Sequence, residues 1–161
     1  MKKEEKTNVM RVLDQKKIAY KSHAYEPDAT MTGEEIAHIL GEDVGKVYKT
    51  LVTQGKSGAY YVYVVPVAAE LDLKKAAKVS GEKAISMIKQ KELLPLTGYV
   101  HGGCSPVGMK KAFPTFIHET APQFDTVYVS AGKVGYQIEL SPSDLISVAN
   151  CKVADIVVED M

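Results

Sequence analysis

The sequence predicts a mixed α/β protein of the α+β kind, with helices set against a largely antiparallel or mixed sheet. Three observations point there. Residues 47–52 and 59–65 are β-branched and aromatic runs separated by a stretch with two glycines, Gly55 and Gly58, which reads as a hairpin. Helix start and stop signals recur between short strands, giving about seven strands and four or five helices. No GxGxxG follows the first strand and no GxxxxGK(S/T) occurs, so a doubly wound sheet around a dinucleotide or triphosphate has no support.

In chain order, Thr7 caps a first helix in which Val9, Met10, Val12 and Leu13 recur at helical spacing. A short strand is expected over residues 18–24, then a turn at Tyr25-Glu26-Pro27-Asp28. Thr32-Gly33-Glu34-Glu35 is a capping box; Ile36, Ile39 and Leu40 give its helix a face to bury, and Gly41 stops it. After the hairpin, Asp72 caps a helix through Ala76 and Ala77, and residues 84–94 become helical toward their end. Tyr99-Val100 reads as a strand leading into a glycine loop. Residues 115–118, 126–130, 137–140 and 152–157 read as strands, and Ser141-Pro142 opens a last helix with its cap and first-turn proline.

The chain has 161 residues, 45% of them hydrophobic, which suits a single domain over 1–161 with a real core. No apolar run approaches the roughly 20 residues of a membrane span, and the charged start Met1-Lys2-Lys3-Glu4-Glu5-Lys6 does not read as a signal peptide. Cys104 and Cys151 show no CxxC spacing, so the expectation is a soluble protein of a reducing cytoplasm, with no membrane partner. The 20 basic and 20 acidic residues balance, which counts against gripping DNA or any long nucleic acid by charge alone. Lys74, Lys75, Lys78, Lys83, Lys89 and Lys91 form a local basic stretch, readable either as a patch for RNA or as an ordinary solvated face.

His23, His38, His101 and His118 stand at neither HxH nor HExxH spacing, so no metal site is expected and no cofactor is implied. Gly103-Cys104-Ser105-Pro106-Val107 lacks the last glycine of a hydrolase elbow, and Pro106 hinders its turn, which argues against a serine hydrolase. Lys49 shares one face of its strand with Val47 and Leu51. Inside a cleft it needs an anion or a polarised oxygen; on an edge strand it sits in water, and spacing leaves both open. Gly102-Gly103 lets two backbone N–H groups approach a carbonyl or phosphate, or makes a plain turn. Cys104 beside them is a nucleophile or, more commonly, a packed thiol. Ser130-Ala131-Gly132-Lys133 permits another close backbone approach, or a plain hairpin turn.

Taken in order, three segments resemble the YbaK/EbsC family of aminoacyl-tRNA editing proteins. They are Val47-Tyr48-Lys49-Thr50-Leu51, the loop from Gly102 to Gly108, and Ser130-Ala131-Gly132-Lys133 followed by Gly135-Tyr136-Gln137-Ile138-Glu139-Leu140-Ser141-Pro142. The resemblance implies a closed mixed, mostly antiparallel β-barrel with helices packed around it. It implies removal of cysteine from Cys-tRNA(Pro), and from Cys-tRNA(Cys), at the tRNA 3′ end, beside a transiently bound prolyl-tRNA synthetase. The family lysine falls at Lys49, as catalytic residue. Tyr25, Thr50, Gly102, Gly103, Ser130, Gly132 and Gln137 fall at substrate-binding positions. Some members carry Asp where this chain has Gln137, some carry an aromatic near Thr32, and an aliphatic residue is common where Cys104 stands.

With no base–nucleophile pair in the sequence, the family reading gives the nucleophile to the substrate: the cysteine thiol attacks its own ester and leaves as a thiolactone, a lyase step that operates as ester cleavage. The rival readings are a related domain that hydrolyses Ala-tRNA(Pro) with water, and a non-enzymatic barrel that binds an acylated or nucleotide-like ligand.

Overall fold

Most of the helices begin on a side-chain cap the sequence carries. In the computed structural model, which describes residues 6–27 and 31–159, α1 (Asn8–Gln15) starts on Thr7, whose Oγ1 accepts from the Met10 amide. Helix α2 (Gly33–Leu40) starts on the Thr32/Glu35 capping box and ends on Gly41, at φ 68°. Helix α3 (Leu73–Ser80) starts on Asp72, and α5 (Pro142–Val148) on Ser141. Helix α4 (Gln90–Thr97) has no polar cap; Glu92 accepts from the Lys89 amide instead. The charged segment Met1–Glu5 and the turn residue Asp28 lie outside the described residues.

The strands are β1 (Lys21–Ala24), β2 (Tyr48–Gly55), β3 (Tyr60–Pro66), β4 (Ile85–Met87), β5 (Thr115–His118), β6 (Val127–Ser130), β7 (Tyr136–Leu140) and β8 (Cys151–Ala154). They form a three-stranded sheet ordered β1-β7-β6 and a five-stranded sheet ordered β4-β2-β3-β5-β8. β3 pairs with β5 and β5 with β8 in parallel; every other ladder is antiparallel, so the expected mixed sheet is found. The two sheets meet at an isolated parallel bridge, Val47 to Tyr128. Among the described residues that bridge does not extend into a ladder, so the pairing leaves a seam where a closed barrel would be continuous.

The main core lies between the sheets and under α1, α5 and the 99–109 loop: Val9, Leu13, Val62, Val64, Ile117, Ile138 and Leu145 are fully buried there. On the other face of the larger sheet, Tyr63 stacks on Phe116 at 5.4 Å and donates to the Ala76 carbonyl, which seats α3.

Some expectations change. Ile39 is 58% exposed, and Ala37 is the residue of α2 that is fully covered, against Val47 and Val67, so the helix presents a narrower face than its apolar residues suggest. Tyr99-Val100 is not a ladder strand: the Tyr99 amide donates to Thr97 Oγ1 and its hydroxyl to the Val107 carbonyl, so it anchors a loop. Residues 84–94 open on the short strand β4 before α4, and the last strand is shorter than expected. None of the described helices is long and apolar enough to cross a membrane.

Candidate functional site

The seam opens into a cavity of about 490 Å³. Its position follows from the pairing of β2. Val67 donates to the Val47 carbonyl and Gly55 to the Ala59 carbonyl, so the odd-numbered main-chain groups of β2 face β3. Ile88 donates to the Val52 carbonyl on the other edge, so the even-numbered groups face outward. β4 covers that edge from Thr53 onward, and Tyr128 covers it at Val47. Between them Thr50 meets open space, and the cavity lies there. The Thr50 hydroxyl is itself buried and makes no hydrogen bond. A buried hydroxyl without a partner costs about 1–3 kcal/mol, and Thr50 is placed to carry that cost in the free protein.

Lys49, next along the strand, points to the opposite face with Val47 and Leu51, as alternation predicts, and also borders the cavity. It is half-buried and has no ion-pair partner among the described residues. Both local alternatives are therefore partly met: the lysine is neither sealed in a core nor loose in water. The same cavity wall includes Met31, Gly33 and Ile36 at the α2 entry and His101 and Gly102 of the 99–109 loop.

Of the other predicted site residues, Tyr25, Gly102, Ser130 and Gln137 line the same cavity. Tyr25 is buried, and that burial raises its hydroxyl above the usual tyrosine range, while a hydrogen bond with the Gly135 backbone opposes the shift. Ser130 Oγ accepts from the Gly132 amide. Gly102 has φ 86°, a backbone that side chains resist. Gly103 and Gly132 stand behind the wall. The Gly103 amide is spent on the Val100 carbonyl, and a Cβ there would lie 2.9 Å from the Val134 nitrogen. A Cβ on Gly132 would meet Val9 and Tyr99 at 2.8 and 2.9 Å. Both glycines thus let two loops close on one another, a packing reason that spacing alone does not separate from ligand approach.

Cys104 lines the cavity, but burial pushes its thiol up to about 12, and Thr97 offsets little of that. It is a neutral thiol at physiological pH, unsuited to attack. Tyr48 donates to or accepts from Thr120 Oγ1 at 2.7 Å and so stiffens the start of β2. Among the described residues no group of His, Cys, Asp and Glu could hold a metal ion.

The sequence reading missed one neighbour. Gln137 Nε2 donates to Oε1 and Oε2 of Glu42 at 2.9 and 2.8 Å. Glu42 follows the Gly41 stop, and its amide donates to the Ala37 carbonyl at 2.8 Å, which fixes its direction. Burial raises the Glu42 carboxyl to about 7, with Glu139 adding to the rise and His23 and Gln137 opposing it. Glu139 is engaged elsewhere, on His23 at 3.0 Å and Thr126 Oγ1 at 2.6 Å. Nothing in the local sequence marks Glu42, which reads as an ordinary residue after a helix stop.

An open edge, a half-buried lysine and an unpartnered hydroxyl share one cleft, which is the candidate site. Comparison with known proteins says which class of protein it belongs to. Residues 27–148 match the aminoacyl-tRNA editing domain, so the chain belongs to that family, as its motifs suggested. It is 44% identical, across 99% of its length and 98% of the other's, to "Putative Cys-tRNA(Pro)/Cys-tRNA(Cys) deacylase EbsC" of Enterococcus faecalis. It is 27% identical over 62% of its length to a proline–tRNA ligase of Fervidobacterium nodosum, spanning 17% of that larger protein. The fold superposes with a TM-score of 0.83, at 28% identity over 94% of this chain and 95% of the other, on the structure described as "a putative trans-editing enzyme for prolyl tRNA synthetase".

Proposed function

We propose that this chain is an editing deacylase that removes cysteine from Cys-tRNA(Pro) and from Cys-tRNA(Cys). The observation that carries the reading furthest is the cavity at the open edge of β2. There Lys49 and the unpartnered Thr50 hydroxyl meet Tyr25, Gly102, Ser130 and Gln137 from distant parts of the chain. The aminoacyl ester and its terminal ribose occupy this cleft, with the rest of the tRNA outside.

In this reading the substrate supplies its own nucleophile. The cysteine thiol loses its proton and its sulfur attacks the ester carbonyl carbon. The bond to the ribose oxygen breaks, that oxygen takes up a proton, and cysteine leaves as its thiolactone. Lys49 contacts the carbonyl oxygen or the terminal nucleotide and offsets the negative charge that develops. Thr50 and Ser130 hold the ester, and the Gly102 backbone shapes the wall. The protein's task is orientation and charge stabilisation, which suits a cleft whose one thiol is held neutral by burial.

The test is purified protein against tRNA(Pro) charged separately with cysteine, alanine and serine, with mass analysis of the product. Rapid release of cysteine as thiolactone is expected, with thiol-blocked substrate inert. Preferred turnover of alanine, or equal rates for blocked and free thiol, would overturn the reading.

A further inference from the structure

An aminoacyl ester carries one cationic group, the α-ammonium, and this cleft has no obvious place for it. Its lining includes Lys49 and His101 but, among the described residues, no Asp or Glu. An ammonium group near Lys49 would meet repulsion, and one left against an uncharged wall would lose its hydration without compensation. Two carboxylates touch lining side chains: Glu35, exposed to solvent, on Thr32, and Glu42, partly buried, behind Gln137. Gln137 is 6% exposed, so its side chain has little freedom to turn. With its nitrogen engaged on both oxygens of Glu42, its carbonyl oxygen, an acceptor with two lone pairs, is the end that faces donors.

We propose that Glu42 is a positioning residue of this site: it fixes the Gln137 amide so that the Gln137 carbonyl oxygen, backed by the Glu42 charge, receives the α-ammonium of the aminoacyl group. The proposal rests on the functional reading above and names the substrate group that this end of the cleft recognises. Glu42 is suited to the role because its backbone is pinned by the α2 stop. Around it, His23 of β1 is paired with Glu139 of β7 and offsets the Glu42 charge only in part, and the nearby Tyr25 and Tyr128 are neutral phenols whose hydroxyls lie above the usual range. The carboxyl, at about 7, carries charge above neutrality and loses it below. Ammonium recognition therefore strengthens as the pH rises through that value, until the ammonium itself deprotonates.

The probes are a cysteinyl-adenosine with an amide in place of the ester, and its N-acetyl derivative, titrated by calorimetry against wild type, Glu42→Gln and the exchanged pair Glu42→Gln/Gln137→Glu. Wild type is expected to bind the free amine about tenfold more tightly than the N-acetyl form, the scale of one charge-assisted hydrogen bond. Glu42→Gln loses that preference while binding the N-acetyl form unchanged. The exchanged pair, which puts the carboxylate on the wall, regains the preference. A wild type that binds both probes equally, or a Glu42→Gln protein that weakens both alike, overturns the proposal. So does an exchanged pair that leaves the preference lost; should the single variant not fold, the wild-type and exchanged-pair titrations still decide. Because the probes cannot react, the functional reading is judged separately by turnover: ammonium preference without deacylation would sink that reading and leave Glu42 standing, and deacylation without preference would do the reverse.

Discussion

Val47 and Tyr128 form a parallel bridge between the two sheets, and the cavity begins where that pairing stops. Continued for two more residues, the same register would set Lys49 beside Ser130 and zip the seam. Instead both residues line the cleft, and the Thr50 hydroxyl is left without a partner. The site is thus an interruption of β-pairing, with an unsatisfied buried hydroxyl in its wall.

That arrangement gives Thr50→Val opposite effects on stability and activity. Removing a buried hydroxyl that bonds to nothing should leave the free protein equally stable or more stable by about 1 kcal/mol. If the hydroxyl holds the ester, kcat/KM for Cys-tRNA(Pro) should fall by about tenfold. Denaturant melts and single-turnover rates on the same preparation check both signs. A variant less stable than wild type by more than that amount would mean the hydroxyl has a partner in the free protein.

Lys49→Ala should cost about 10²–10³ in turnover, the scale of losing one preorganised charge-stabilising donor. Its melting should stay close to wild type, because the half-buried ammonium has no ion-pair partner to lose. Lys49→Arg should recover little, since a planar fork does not replace a compact ammonium in a cleft shaped by Met31, Gly33 and Ile36. Near-normal turnover by well-folded Lys49→Ala would remove this lysine from the mechanism.

Cys104→Val should keep most activity. The thiol it removes is raised to about 12 by burial and stays neutral across the working range. Wild-type Cys104 should also resist alkylation at pH 8, as a buried neutral thiol does. Loss of turnover in a folded Cys104→Val protein would show that the enzyme uses its own sulfur.

How far the sequence reached can be judged from these residues. The caps at Thr7, Thr32, Asp72 and Ser141 were legible because capping is local chemistry. The hairpin and the facing of Lys49 were legible because strand alternation is local too. The seam was not, because it depends on how a strand near residue 48 meets one near residue 128. At Gly103 the local sequence leaves ligand approach and a plain turn open, and only the fold shows its amide serving a turn and its missing Cβ admitting Val134. Glu42 was invisible for the same reason: its partner is distant in sequence, and only the fold brings Gln137 to it.

Glu42 also sets a pH dependence of stability. Its carboxyl is raised from 4.5 to about 7 in the folded protein, so between those values the folded state holds more proton than the unfolded one. Stability from this group is therefore greatest at low pH and is lost as the pH rises through that window. Glu42→Gln removes the dependence, so its stability relative to wild type should climb from about pH 5 and level off above about pH 8. Denaturant midpoints of the two proteins at several pH values test this; parallel curves would place the Glu42 carboxyl at its ordinary value.

Selection of the tRNA should lie outside this chain. With 20 basic and 20 acidic residues it has no net positive field, and phosphate contacts dominate nucleic-acid affinity. Of the lysines between Leu71 and Lys91, Lys75 is tied to Asp155, while Lys74, Lys78, Lys83, Lys89 and Lys91 are exposed and free to meet an acceptor end that differs little between tRNAs. Alone, the protein should deacylate Cys-tRNA(Pro) and Cys-tRNA(Cys) at similar rates and bind both weakly, more weakly as salt rises. Added prolyl-tRNA synthetase should favour the proline tRNA by lending its own contacts and raising the local concentration of the charged end. Rates on both tRNAs, with and without the synthetase and at two salt concentrations, measure this directly. A strong preference for one tRNA body in the absence of the synthetase would show that the selectivity resides in this domain, and would direct attention back to its exposed lysines.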